Sequence, residues 1–192
     1  MRTLRLKPLA DGHPFEDAEH IPYYYAESPI VRYYFYKRLD EVVSLLNRKD
    51  NQSKEATLDL GCFVGLITIS LVDSHRLAVG VDLNLKYLRM ARQLCQYEGK
   101  PSACFVLADI ARLPFKQESI GSITAASVFE HTPDRADPFD EIERVLRPKG
   151  ILVAGLPVEL VIAFLLKQIL VRLILYSRQN KISISAILRT FA

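Results

Sequence analysis

Short apolar runs alternate with amphipathic stretches along the middle of the chain. Runs of about four to eight mostly apolar residues predict buried strands, whereas apolar residues that recur every three or four positions predict helices. Strands are predicted in this way at residues 56–60, 77–81, 103–107, 120–126 and 151–154. Helices are predicted at residues 29–47, 64–72, 85–97 and 138–146.

The predicted strands are nearly continuous in apolar residues, which is typical of parallel strands covered by helices on both faces. Right-handed crossovers between such strands give a doubly wound sheet. The pattern thus predicts an α/β fold with a mostly parallel, Rossmann-like sheet. At 192 residues, the chain has the length of a single domain. We expect a cap at residues 1–55, a ligand-binding core at 56–157, and an apolar helix and tail at 158–192.

Composition narrows the function classes. The chain carries 25 basic and 22 acidic side chains, and this near balance argues against a nucleic-acid partner, which needs a concentrated basic face. Its three cysteines, Cys62, Cys95 and Cys104, lack close CxxC spacing, so neither a disulfide framework nor a zinc site is predicted. The N-terminal residues contain no apolar run typical of a secretory signal. These features predict a cytoplasmic protein with reduced thiols and without a bound metal.

Candidate ligand-binding residues follow the predicted strands, because ligands of doubly wound sheets lie outside the carboxyl ends of the strands. Gly61 and Gly65 follow the first strand, and glycines there let the backbone approach a ligand closely. Their G-x-x-x-G spacing differs from the G-x-G-x-x-G fingerprint of dinucleotide-binding loops and argues against a nicotinamide cofactor. A plain strand-to-helix turn is the alternative interpretation of this loop.

Two aspartates end the next two predicted strands. Asp82 lies about 20 residues beyond the glycine loop, where an acidic side chain accepts hydrogen bonds from both hydroxyls of a ribose; it would otherwise cap the helix that starts near Asn84. Asp109 is placed to accept a hydrogen bond from an adenine amino group, with Ile110 packing on the ring, or else to form a turn. The position of Asp82 relative to the loop favours the ligand-binding interpretation.

Together these motifs resemble the class I S-adenosylmethionine-dependent methyltransferases over residues 56–157, about half of the chain. Asp59, Gly61 and Gly65 match the family's D-x-G-x-G-x-G motif. Residues 108–115 and 127–133 are similar to its adenine-contacting segment and to the loop after its fourth strand, and residues 146–150 to the turn before its fifth strand. The nearest subgroup contains the ubiquinone and menaquinone biosynthesis methyltransferases.

This resemblance implies methyl transfer from S-adenosylmethionine to a small-molecule or lipid-like acceptor. It implies no particular catalytic side chain. The cofactor-binding residues that it implies are Asp59, Gly61, Cys62, Gly65, Asp82, Leu83, Asp109, Ile110 and Ser127.

Two departures from the family pattern support an alternative function. The family's middle glycine is Phe63 here, and its ring would crowd the cofactor unless a negative φ turned it away. Too few residues follow the fifth strand for the family's final strand pair, so this pair is predicted to be missing or incomplete. The alternative is a catalytically inactive, methyltransferase-like binding or interaction module. His131, beside Glu130, is either a general base or a recurrent loop residue without a proton-transfer role.

Two segments flank the core. The tyrosine-rich residues 23–36 are expected either to cover a substrate pocket or to pack on the sheet. We favour the covering role for Tyr23, Tyr24 and Tyr25 and the packing role for Tyr33, Phe35 and Tyr36. The segment from Leu160 to Tyr176 is apolar nearly all round and shorter than the about 20 residues of a membrane-spanning helix. It is expected to be a core helix, a lid over an apolar substrate, or a site of peripheral membrane contact or self-association.

Overall fold

The computed structural model describes residues 29–49, 56–72, 77–131 and 138–155. Within them, five parallel strands form one sheet in the order β3-β2-β1-β4-β5. The strands are β1 (Thr57–Leu60), β2 (Ala78–Asp82), β3 (Cys104–Leu107), β4 (Ile120–Ala126) and β5 (Leu146–Gly155). The helices are α1 (Pro29–Lys49), α2 (Leu66–Val72), α3 (Leu85–Tyr97) and α4 (Pro138–Val145), and a 3-10 helix spans Phe129–His131.

Strand β1 lies at the point where the winding of the sheet reverses direction. The chain moves from β1 outward to β2 and β3, and then returns to the other side of β1 with β4 and β5. Leu58 is in register with Val79 on one side and with Ile123 on the other. The predicted doubly wound parallel sheet is confirmed, and its topology places the expected ligand crevice at the carboxyl ends of β1 and β4.

Apolar side chains pack on both faces of the sheet, which explains why the strands contain so few polar residues. One cluster joins buried residues of the first three helices, including Leu46, Ile69 and Leu94. The other joins strand residues such as Leu58 and Ile123 to Ile142 and Val145 of α4. Alternate residues of each strand face opposite sides, so β2, β3, β4 and β5 contribute to both clusters, whereas β1 contributes Leu58 and Leu60 to the second cluster alone.

Helix α1 lies on the first of these faces and buries a regular stripe of side chains. Leu39, Val43 and Leu46 recur at helical spacing and are buried, as expected for an amphipathic helix. Tyr36 is also buried, so its predicted packing is confirmed, whereas Tyr33 is exposed and the packing predicted for it is wrong. Tyr33 lies three residues before Tyr36, beyond the end of the buried stripe. Residues 23–25 lie outside the described residues.

The boundary between α4 and β5 differs from the prediction. The helix was expected to reach residue 146 and to be followed by a turn, but it ends at Val145 and β5 begins directly at Leu146. Leu146 pairs with Ile120, and the next paired residue of β5 is Ile151, opposite Ser122. The intervening residues of β5 therefore bulge out of the ladder instead of forming a separate turn. Lys149, with φ +66°, lies in this bulge.

All the described residues lie in the first of two compact units, Met1–Leu156 and Pro157–Ala192. The apolar segment 160–176 and the predicted incomplete strand pair lie outside the described residues. No helix in the described part of the chain is both long and apolar enough to span a membrane. The division into cap, core and tail within one domain stays a prediction.

Candidate functional site

The loop between β1 and α2 has a left-handed backbone at three positions. Glycine adopts this conformation readily, whereas other residues adopt it with strain. Gly61, Phe63 and Gly65 have φ values of +61°, +51° and +77°. A Cβ on Gly61 would lie 2.2 Å from Val128 Cγ2, and one on Gly65 would lie 2.8 Å from Phe105 Cε1. Glycine is therefore required at both positions, because the loop packs tightly against neighbouring segments while its backbone is left-handed.

The buried carboxylate of Asp59 fixes the elements on either side of this loop. The side chain of Asp59 is only 2% exposed, and its Oδ2 accepts hydrogen bonds from the Thr68 backbone N–H at 3.0 Å and the Thr68 hydroxyl at 2.6 Å. Its Oδ1 accepts a hydrogen bond from the Thr124 hydroxyl at 3.1 Å. Burial raises the pKa of Asp59 to about 6, although these hydrogen bonds oppose the change. Asp59 thereby ties β1 to both α2 and β4.

Cys62 lies on the inner side of the same loop. Its side chain is buried, and burial raises the pKa of its thiol, with the nearby Asp59 and Asp82 charges acting in the same direction. The Cys62 backbone N–H donates to Val81 O at 3.0 Å. Because reactive cysteines depend on thiolate character, this thiol is a packing group and an unsuitable nucleophile.

Asp82 joins the loop to the start of α3. Its Oδ2 accepts a hydrogen bond from the Phe63 N–H at 2.9 Å, and its Oδ1 accepts one from the Asn84 N–H at 2.8 Å. The cap of α3 is Asn84, whose side chain accepts a hydrogen bond from the Lys86 N–H. The alternative interpretation of Asp82 as the helix cap is therefore wrong. An ionised carboxylate has about four acceptor positions, so Asp82 retains capacity to bind a ligand.

Asp109 forms a turn and faces solvent. Its Oδ1 accepts a hydrogen bond from the Ala111 N–H at 2.9 Å, and its backbone carbonyl accepts one from the Arg112 N–H at 2.9 Å. The turn-forming interpretation is thus confirmed, yet Asp109 and Ile110 also line the large cleft described below.

Ser127 begins the loop after β4. Its φ is +60°, and its N–H donates to Gly155 O at 2.8 Å, which fixes the start of the loop against β5. The Ser127 Oγ is inaccessible to solvent and has no hydrogen-bond partner among the described residues. Such a buried hydroxyl without a partner is uncommon in folded proteins.

These segments enclose a cleft of about 560 Å³ at the carboxyl ends of the strands. This volume lies within the range of small-molecule sites. Six of the nine residues implied by the family resemblance line the cleft: Gly61, Asp82, Leu83, Asp109, Ile110 and Ser127. The remaining three, Asp59, Cys62 and Gly65, do not line it. Asp59 and Cys62 line a neighbouring cavity of about 50 Å³, while Gly65 packs on Phe105.

The cleft also contains side chains that the sequence pattern did not indicate. Arg38 enters from α1 and lines both cavities, with its Nε inaccessible and without a hydrogen-bond partner among the described residues. Little in the sequence indicates that Arg38 reaches the cleft, since it is a single basic residue beside the apolar stripe of α1. Tyr87 and Ala126 were likewise not indicated, whereas Phe63, Ala108, Val128 and His131, which also line the cleft, lie in segments singled out from the sequence.

The Phe63 ring lines the cleft and contacts Tyr87 edge to face, with ring centroids 4.4 Å apart. Phe63 does not have the negative φ that would turn its ring away from the cleft, since its φ is +51°. The Phe63 ring forms one wall of the cleft, and the open space beside the ring is about 560 Å³. His131 is exposed at the end of the 3-10 helix and also reaches this cleft.

No group of three or more His, Cys, Asp or Glu side chains in the described part of the chain has the arrangement of a metal site. The polar groups that line the cleft are two carboxylates, one guanidinium, two hydroxyls, one imidazole and the backbone of the glycine loop.

Comparison with known proteins identifies relatives with the same core. A family model described as a methyltransferase domain matches residues 58–154, half of the chain. Methyltransferase GfsG of Streptomyces halstedii is 34% identical over 110 residues, which cover 56% of this chain and 40% of that protein. Demethylmenaquinone methyltransferase of Chlamydia caviae is 31% identical over 127 residues, which cover 61% of this chain and 54% of that protein. The chain thus spans about half the length of these relatives, or less.

Solved structures show the same fold. A protein of Pyrococcus horikoshii matches with a TM-score of 0.55 and 25% identity, over 66% of this chain and 58% of that one. A putative sarcosine dimethylglycine methyltransferase of Galdieria sulphuraria matches with a TM-score of 0.59 and 21% identity, over 64% of this chain and 47% of that one. Together with the family match over half of its length, these likenesses establish that the chain belongs to the methyltransferase-domain family, with the sheet of a class I methyltransferase.

Proposed function

We propose that the cleft binds S-adenosylmethionine and that the protein transfers its methyl group to a small-molecule or lipid-like acceptor. The observation that carries this proposal is the composition of one cleft. It combines the glycine loop after β1, the carboxylates that follow β2 and β3, and a guanidinium from α1. A ligand with hydroxyl and amino donors at one end and a carboxylate at the other complements these charges.

The adenosine end of the cofactor fits the residues after β2 and β3. The remaining acceptor positions of Asp82 would take the two ribose hydroxyls, and Asp109 would accept from the adenine amino group. Leu83 is 71% exposed although it lines the cleft, and with Ile110 it offers an apolar surface that a bound ring would cover. Because burying a neutral aromatic ring on such side chains is favourable, these two residues support an adenine site.

The amino-acid end of the cofactor fits Arg38 and the glycine loop. Its carboxylate would pair with the Arg38 guanidinium, which suits planar bidentate recognition. The unpartnered Nε of Arg38 and Oγ of Ser127 are the polar atoms that a ligand would satisfy. Gly61 lets the ligand approach the loop backbone. Asp59, Cys62 and Gly65 contribute to cofactor binding in this proposal indirectly, by fixing the conformation of the loop.

The bound sulfonium supplies an activated methyl group, so the transfer breaks a carbon–sulfur bond whose electron pair stays on sulfur. The task left to the protein is to hold the acceptor atom in line with that bond and to exclude water. In this proposal the residues that line the cleft orient the two reactants, and no catalytic side chain is assigned. His131 also lines the cleft and would accept a proton from an acceptor that must lose one.

The acceptor class rests on the relatives. Those that match this chain include a demethylmenaquinone methyltransferase, a malonyl-[acyl-carrier protein] O-methyltransferase of Methylovorus and a cycloartenol-C-24-methyltransferase of Arabidopsis thaliana. By analogy we assign a small or lipid-like acceptor to this chain. A cytoplasmic location, supported by three free cysteines, belongs to the same proposal. Membrane contact or self-association through residues 160–176 stays a prediction.

Calorimetric titration with S-adenosylmethionine tests the proposal. The wild-type chain is expected to bind one equivalent, and Asp82→Asn is expected to weaken binding by about tenfold or more, since it removes charge-assisted hydrogen bonds to the ribose. Glu143→Gln, an exposed acidic residue on α4, serves as the control and keeps wild-type affinity. Absence of binding at millimolar cofactor would refute the proposal.

A radiolabelled methyl-transfer assay then separates the enzyme from a non-catalytic binding module. Short-chain demethylated quinols and simple phenols are suitable acceptors to test, because they represent the lipid-like class named above. Transfer of label to an acceptor, with release of S-adenosylhomocysteine, supports the enzyme. Cofactor binding without transfer to any acceptor of these classes would favour the binding module.

A further inference from the structure

The loop between β3 and β4 is hydrogen-bonded to a helix that lies far along the chain. Glu141 Oε2 accepts a hydrogen bond from the Leu113 N–H at 2.8 Å. Arg144 donates from Nη2 to the Leu113 carbonyl at 3.0 Å and from Nη1 to the Phe115 carbonyl at 2.9 Å. Two side chains of α4 thus hold both backbone groups of Leu113 and the carbonyl of Phe115. We refer to Glu141 and Arg144 together as the α4 clamp.

The two residues of the α4 clamp also hold each other in a fixed geometry. Arg144 Nε donates to Glu141 Oε1 at 2.7 Å, and Arg144 Nη2 donates to Oε2 at 2.8 Å. This bidentate arrangement orients both side chains. The Arg144 hydrogen bond holds the pKa of Glu141 down at about 2, so the carboxylate stays ionised at every physiological pH. The Glu118 N–H also donates to the Arg144 carbonyl, at 2.9 Å.

The other end of the clamped loop carries the residues proposed to bind adenine. Asp109 and Ile110 line the cleft, and Leu113, three residues further on, is both clamped and buried against Ile142 of α4. Neither Glu141 nor Arg144 is a lining residue of the cleft. With the Leu113 backbone fixed, only a two-residue connection separates the anchored part of the loop from Ile110. The anchor therefore restrains the segment that carries Asp109 and Ile110, together with β3 and the turn at Asp109.

We propose that Glu141 and Arg144 are positioning residues that set the adenine-binding end of the cleft by holding the Leu113–Phe115 backbone. This inference rests on the proposed function, because it concerns the affinity for an adenine-containing cofactor. A role in stability alone is a poorer explanation. The side chains of Arg144 and Glu141 are partly exposed, at 37% and 22%, so solvent weakens their ion pair. Their hydrogen bonds to the backbone of Leu113 and Phe115 act on the loop that leads to the cleft.

The test compares two ligands that differ at the purine amino group and at the adjacent ring nitrogen N1. S-adenosylhomocysteine and S-inosylhomocysteine, in which oxygen replaces that amino group, are titrated into the full chain by calorimetry. Arg144→Ala is expected to weaken S-adenosylhomocysteine binding by about tenfold, because misplacing a ligand-contacting group by a fraction of an ångström costs affinity. It is expected to affect S-inosylhomocysteine less, so the ratio of the two Kd values moves towards one.

Conservative and control variants make the test specific. Arg144→Lys keeps one donor for the loop carbonyls and is expected to lie between wild type and Arg144→Ala. Glu143→Gln, on the same helix but exposed, is expected to keep both Kd values. Deuterium exchange at the Leu113 amide reports on the α4 clamp without any ligand, and Glu141→Ala is expected to accelerate it while β1 and β4 amides stay protected.

The outcomes separate the two proposals. If wild type binds neither ligand, the proposed function fails and this inference fails with it. If wild type binds and the Arg144 variants keep an unchanged Kd ratio, the inference is overturned while the proposed function stands. An equal loss for both ligands, together with a lower melting temperature, also overturns it, since that pattern indicates a structural role alone. If Arg144→Ala does not fold, Arg144→Lys and the Leu113 exchange rate decide the question.

Discussion

The buried carboxylate of Asp59 makes a prediction about stability and pH. Asp59→Asn removes the charge but keeps the hydrogen bonds, since an asparagine Oδ1 accepts from both donors of Thr68 while its Nδ2 donates to the Thr124 hydroxyl. That hydroxyl then donates to the Leu58 carbonyl, which lies 3.3 Å away. Each of these polar atoms keeps a partner and only the second Nδ2 hydrogen is added, so the pH dependence of the difference from wild type reports the cost of burying a charge.

The magnitude follows from the pKa of Asp59, which burial raises from 3.8 to about 6. A change of one pKa unit corresponds to about 1.36 kcal/mol, so the full difference is about 3 kcal/mol. Because the pKa is higher in the folded state, the proton stabilises the fold. This stabilisation is fully present below about pH 4 and is lost as the pH rises through about 6. The free energy of unfolding of wild type relative to Asp59→Asn should therefore fall by about 3 kcal/mol over this interval.

Urea denaturation between about pH 4 and pH 8 measures this difference, and it cancels the pH dependence of the other carboxylates. Glu143→Gln, which changes an exposed acidic residue, is the control and should run parallel to wild type. A wild-type-minus-variant difference that does not depend on pH, or that rises with pH, would show that burial does not dominate the environment of Asp59.

Two further substitutions probe the glycine loop. Gly61→Ala should destabilise the fold by about 2–4 kcal/mol, because it combines a left-handed backbone with overlap on Val128. Gly99→Ala is its matched control, since Gly99 has φ +69° with open space around its Cβ position, and it should cost only about 1 kcal/mol in the same urea titration; equal costs would contradict the proposed overlap. Phe63→Gly should leave S-adenosylmethionine affinity within about threefold by calorimetry, because the ring packs on Tyr87 beside an open cleft. A gain in affinity of tenfold or more would mean instead that the ring obstructs the cofactor.

Local patterns predicted the elements of the sheet and the carboxylates at its edge. Apolar runs located every strand to within a few residues, although β5 begins earlier than expected. Residues that follow strands in a doubly wound sheet face the same edge, and for this reason Asp82, Asp109 and Ser127 could be placed in one cleft without coordinates. Whether a residue follows a strand can be predicted from its neighbours in the sequence.

The remaining features depend on contacts between distant segments. Arg38 reaches the cleft only because α1 is rotated to bury the stripe that includes Leu39, and periodicity does not reveal which neighbour flanks the stripe. The role of Asp59 depends on Thr124, which is 65 positions away in the chain. The bulge in β5 arises because Leu146 pairs with Ile120 ahead of the regular register. Each of these three features depends on how distant segments pack, which local sequence patterns do not reveal.

The central claim is that this cleft holds S-adenosylmethionine through the residues after β2 and β3. A crystal structure of the full chain with S-adenosylhomocysteine tests it most directly. We predict a ribose whose two hydroxyls lie about 2.5–3.0 Å from the Asp82 carboxylate, with the adenine ring between Leu83 and Ile110 and the ligand carboxylate at Arg38. A ligand bound elsewhere on the chain, with Asp82 and Asp109 left in contact with solvent, would contradict the claim.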